Sequence, residues 1–159
     1  MTKVFMLLDQ FGGHTLYGRG PLLANGAAIE EGLMVTLDST GTDVTLSTGT
    51  GSKPFGFAYG DRNLFNYAPT TKVFSDNEAL NVVTGHGYAA TSSDFFTSGS
   101  LPTEAAYRTL YAGTGGKLAL SGSFAVGRLV NIESWTAPTG GTGQSENVAI
   151  IQYDFQDLT

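Results

Sequence analysis

The chain has 159 residues and 16.7 kDa, 41% of them hydrophobic, enough to bury the core of one domain. Only 14% are charged and the net charge is -6 with a pI near 4.6, so the average surface repels a phosphate backbone and no nucleic-acid partner is expected. Cysteine is absent, which removes disulfides and thiolate metal sites and is compatible with assembly in a reducing cytoplasm.

The chain opens with the apolar run Val4-Phe5-Met6-Leu7-Leu8, cut by Asp9 and Gln10 well short of a signal-peptide core or a membrane span. No membrane partner is expected. Gly12-Gly13 and Gly18-Arg19-Gly20-Pro21 then loosen regular pairing, and residues 9–28 show little periodicity. Two readings of residues 1–28 stand side by side. In one they form an extended N-terminal arm whose Val4, Phe5, Met6, Leu7 and Leu8 contact a partner by adding a strand to its sheet edge. In the other, residues 3–8 are an ordinary strand of the protein's own barrel, followed by a loop.

Residues 29–159 read as a single β-barrel domain. No window sustains an apolar repeat at i, i+3, i+4, i+7, and the 22 glycines interrupt nearly every candidate helix. Short stretches rich in Val, Thr, Phe, Tyr and Leu alternate with Gly, Ser, Thr and Asp turns, the pattern of an all-β barrel or sandwich of short antiparallel strands with long loops. Met34-Val35-Thr36-Leu37 and Asp43-Val44-Thr45-Leu46 form a hairpin around Asp38-Ser39-Thr40-Gly41. Pro54 to Gly60 is the next strand. Ala79 to Thr84 and Gly87 to Thr91 are read as two strands separated by Gly85-His86. Thr103 to Tyr107 suits one short helical turn.

From Thr109 the plan repeats: Thr109 to Ala112, a turn at Gly113 to Gly116, Lys117 to Leu120, then Ala125 to Val130. Two copies of a three-strand unit are one reading, and chance matching between Gly/Thr-rich β segments is the other. Ala137 to Gln144 is a loop. Asn147 to Phe155 is apolar enough for a central strand.

Chemistry is sparse. The only imidazoles, His14 and His86, sit in glycine-flanked contexts without a nucleophile elbow, so solvated turn histidines are expected. Asp38 to Asp43 resembles part of a calcium loop but lacks the bidentate Glu, and turn chemistry alone accounts for its aspartates. Glu30-Glu31 cannot face each other across a cleft and reads as a charged edge beside Gly32. No phosphate-cradling loop is present. No catalytic residue, metal or cofactor is expected, and the chain is read as a non-enzyme. Phe55, Phe57, Tyr153 and Phe155 alternate as core residues do. Trp135, beside the Gly/Pro/Thr loop, is the aromatic most suited to partner contact or ligand stacking, but capping of a barrel end is the favoured reading, given the apolar bulk it must cover.

The order of segments resembles the small β-barrel decoration, or cement, proteins of tailed-bacteriophage capsids. The similarity lies in Glu31-Gly32-Leu33-Met34-Val35-Thr36-Leu37 with its hairpin, Phe55-Gly56-Phe57-Ala58, Val82 to Tyr88, and Lys117 to Leu120 ending in Val126-Gly127-Arg128-Leu129. It covers residues 29–155 in outline and departs at Arg62 to Glu78, which is longer than a compact barrel needs. The resemblance implies a virion protein on the outer surface of the capsid. Such a subunit binds neighbouring major capsid proteins, is a homotrimer or other homo-oligomer, and carries no catalytic residues. A receptor- or carbohydrate-binding β module of a phage fibre or cell-surface adhesin is the competing expectation.

Overall fold

The computed structural model describes residues 5–8, 14–16, 22–26, 28–59, 73–103, 107–136 and 145–155. Its strands are β1 (Phe5–Leu7), β2 (His14–Leu16), β3 (Leu22–Ala24), β4 (Ile29–Glu30), β5 (Met34–Leu37), β6 (Asp43–Leu46), β7 (Gly56–Tyr59), β8 (Val73–Phe74), β9 (Ala79–Thr91), β10 (Thr109–Ala112), β11 (Leu118–Ala119), β12 (Ala125–Thr136) and β13 (Ser145–Asp154). Helix among the described residues is limited to the 3-10 turns Ser93–Phe95 and Thr114–Gly116. The fold is all-β with a closed barrel core, as the glycine-punctuated strands predict.

Strand β9 organises the molecule. Sequence reading splits it in two at Gly85-His86, but the structure runs it unbroken through thirteen residues. The reason is pairing. Gly85 is matched with His14 of β2, and its carbonyl accepts the Phe155 N–H at 2.7 Å, so hydrogen bonds continue where a turn was expected. Gly85 takes φ +80, a left-handed conformation costly for other residues, which lets the strand change direction without ending.

The first half of β9 closes a barrel through the cycle β9, β3, β6, β5, β7 and back to β9. All its pairings are antiparallel except β3 with β6. The β5–β6 hairpin has the register Val35 to Leu46 and Leu37 to Val44, placing the alternating apolar residues on one face. That face fills the barrel together with Leu22, Ala58, Leu80 and Val82. Strand β7 is buried along its whole length, with Ala58 in this cluster and Phe57 and Tyr59 in a second core. A Cβ on Gly56 would lie 2.2 Å from the Val83 carbonyl oxygen, so glycine is what lets β7 approach β9.

The second half of β9 continues into a sheet ordered β9, β13, β12, β10, β11. Strand β13 is central, paired on both sides, as its apolar composition predicts. Between this sheet and the barrel lies the larger core. Phe57 meets Phe155 at 4.9 Å and Tyr153 at 5.5 Å, both edge-to-face. Leu110, Leu129, Ala149 and Ile151 complete it. The two three-strand units share one arrangement: β5 lies between β6 and β7, and β10 between β11 and β12.

Strands β1, β2 and β3 pair in turn with successive stretches of β9, running down it from Thr91 to Ala79. Residues 5–7 therefore pair within the protein's own sheet, and residues 14–16 and 22–24, expected as unpatterned arm or loop, form short strands there. Phe5 and Leu7 are buried in the larger core. The edge reading of Glu30-Glu31 is also corrected, since Glu31 is only 3% exposed and Glu30 pairs with Val73 in the small β4–β8 ribbon. The described end of the departing stretch packs onto the barrel: Phe74 is buried, and Asn77 donates its N–H to the Ala24 carbonyl at 2.7 Å. Residues 62–72, 104–106 and 137–144, which include most of the long insertion, the expected helical turn and the Gly/Pro/Thr loop, lie outside the described residues, as does Val4.

Candidate functional site

The outer face of the β1–β9–β13–β12 sheet follows from strand alternation. Residues directly opposite in an antiparallel pair share a face, and successive residues point to opposite sides. Met6 pairs with Ala90, Ala90 with Ile150, and Ile150 with Asn131, so these four form one row on the side away from the core. Leu8 extends the register of β1 by donating its N–H to the Tyr88 carbonyl at 2.9 Å.

A bulge in β12 resets the alternation. Leu129 is matched with Ile151, but the next matched pair is Asn131 with Ile150, leaving Val130 as the extra residue. Were Val130 paired regularly with Ile150, Glu133 and Trp135 would point into the core. With Val130 left out of the ladder they share the outer face, opposite Val148 and Glu146. The indole N–H of Trp135 donates to the Glu133 carboxylate at 2.9 Å. Its ring and Val130 pack, half-buried, against buried Ala90, Val148 and Ile150.

The result is a mixed surface, apolar side chains over a buried apolar layer with exposed Asn131, Glu133 and Gln152 among them. Leu8 and Tyr88 are exposed at 37% and 39%, Met6, Val130 and Trp135 are half-buried, and a buried apolar layer lies beneath. Trp135 stands opposite Glu146 and Tyr88 opposite Gln152 on β13, a separation of about 20 Å along the strand, on strands about 10 Å apart. Two aromatics so far apart cannot sandwich one sugar ring. They suit the ends of a broad protein contact, where aromatic and Met side chains supply area.

Of the residues singled out for partner contact, Met6, Leu8 and Trp135 lie on this one face, Trp135 toward its far end. Phe5 and Leu7 turn the other way into the core, which corrects their reading as contact residues. Trp135 is on a strand face rather than over a barrel end. Tyr88, Val130 and the buried layer were not singled out from the sequence, and only the alternation of Tyr88 with Gly87 and Ala89 hinted at an exposed side.

The other candidates resolve into structure. The Asp38 carboxylate accepts from the Thr40 hydroxyl at 2.6 Å and from the N–H groups of Thr42 and Asp43 at 3.1 and 3.2 Å. The Thr40 hydroxyl above all, with the backbone donors, holds this carboxyl below its ordinary pKa. It is thus a turn-closing group. Among the described residues no three His, Asp or Glu side chains gather as a metal site, and no helix is long and apolar enough to cross a membrane. His86 is exposed on β9 opposite Asp154.

The fold and this face define a closed β-barrel with an appended sheet. No protein-family model matches the chain, and a search of curated proteins finds no match.

Proposed function

We propose that this protein is a non-enzymatic structural component of a virion that binds the outer surface of a phage capsid and stabilises contacts between neighbouring major capsid proteins. The observation that carries the reading is the sheet face bearing Met6, Leu8, Tyr88, Val130 and Trp135 above a buried apolar layer. A cement subunit acts by burying surface on its neighbours rather than by chemistry, and homotrimers or other homo-oligomers around a symmetry axis multiply each weak contact. A sheet face about 20 Å long that mixes apolar side chains with polar ones fits that task. The low charge and net -6 suit a subunit that stays soluble and avoids the packaged genome.

The test is cosedimentation with capsids lacking the protein, comparing wild type with Leu8→Asn and Trp135→Ala, followed by heat challenge of the particles. Binding by wild type, weakening in both variants and a raised particle melting temperature are expected. Failure of wild type to bind, or binding unaffected by either variant, refutes the assignment to this face. A glycan array positive for wild type and negative for Trp135→Ala would replace it with the carbohydrate-binding module.

A further inference from the structure

A second feature lies at the His86–Asp154 end of the same sheet. Here an open cleft of about 600 Å³ is bordered by Lys53, His86, Thr109, Arg128, Gln152 and Asp154. The register explains the gathering. Thr109 is opposite Arg128, Arg128 opposite Gln152, and Asp154 opposite His86, so these side chains share a face, and half-buried Lys53, from the segment leading into β7, joins them.

The charge is distinctive for this chain. It has only eight Lys and Arg against fourteen Asp and Glu, yet two of those cations meet one carboxylate in a single cleft. His86, Gln152 and Thr109 add hydrogen-bonding groups beside them. Among the described residues of the cleft the cations outnumber the carboxylates, although the protein's net charge is -6, and Arg128, exposed on β12, can present its guanidinium fork to a carboxylate.

We propose that this cleft recognises an acidic segment of a partner protein, with Arg128 and Lys53 engaging Asp or Glu carboxylates and Gln152 and Thr109 supplying neutral hydrogen bonds. The choice of a peptide over an acidic sugar rests on the lining. Among the described residues its only aromatic is Tyr153, 1% exposed and turned into the core, so these residues offer no ring face for a sugar to stack on. The cleft is open and polar, as suits a charged side chain that keeps part of its hydration.

The inference does not depend on the capsid reading, because its test needs no capsid. Hexaglutamate is titrated into the full chain at low ionic strength, with backbone and side-chain amide signals followed by NMR. Saturable shifts centred on residues 53, 86, 128 and 152 are expected. The Kd should rise about tenfold or more in Lys53→Gln/Arg128→Gln, since each change removes a charge-assisted contact, and stay unchanged in Lys117→Gln, which alters a lysine outside the cleft. The single variant Arg128→Gln, at an exposed position, guards against misfolding of the double variant. Absence of saturable shifts, or an unchanged Kd in both cleft variants, overturns the proposal. So does glucuronate or inorganic phosphate binding as tightly as the peptide, which would make the cleft a general anion site.

Discussion

Replacing Phe5 by Ala separates a strand of the protein's own core from an arm that serves only a partner. Phe5 is 8% exposed, its ring lies 5.1 Å from that of Phe57 and 6.1 Å from that of Phe95, and a Cβ on Gly32 would sit 2.6 Å from it. A ring so enclosed leaves a cavity when removed, which costs about 3–5 kcal/mol. For a chain of this size, about 2–4 °C of melting temperature per kcal/mol gives a fall of roughly 6–20 °C. Urea unfolding followed by far-UV circular dichroism measures the loss without a partner present. A double-mutant cycle with Phe57→Ala should show coupling of about 0.5–1.5 kcal/mol, the usual range for an aromatic pair. If Phe5→Ala changes stability by no more than about 0.5 kcal/mol, the range of ordinary surface substitutions, the strand is not part of the folded core and the packing argument fails.

Leu8→Asn, three residues further on but facing outward, should change stability by less than about 0.5 kcal/mol while weakening capsid cosedimentation, so the two readouts divide along strand alternation. Gly56→Ala forces a methyl group against the Val83 carbonyl and should cost at least about 1–3 kcal/mol by thermal melting; an unchanged melting temperature would mean β7 does not sit so close to β9. Because the Asp38 carboxyl titrates below its ordinary value, its stabilising contribution is present above the unfolded-chain pKa and is lost as pH falls through the folded one. The stability gap between wild type and Asp38→Asn should therefore be full near neutrality and shrink below about pH 4; a gap independent of pH would exclude the carboxylate as its source.

Much of the strand content is local and could be read from the chain. The β5–β6 hairpin was legible because Val35, Leu37, Val44 and Leu46 alternate around a turn that Asp38 closes with its own side chain, and β13 because its unbroken apolar run suits burial on both faces. Those signals are short-range: alternation and turn residues act within a few positions. The continuity of β9 through Gly85-His86 could not be read that way, since glycine ends a strand unless partners on both edges keep its hydrogen bonds satisfied, and those partners come from residues 14 and 155. Likewise Trp135 lies more than a hundred residues from Met6 and Leu8 in sequence, and only pairing through β9 and β13, with one bulge at Val130, puts them on a common face. A one-residue change of register turns every side chain of a strand to its other side. Local sequence thus determined most of the strand segments, whereas long-range pairing decided β2, β3 and the continuity of β9, and which strand residues meet solvent and could meet a partner.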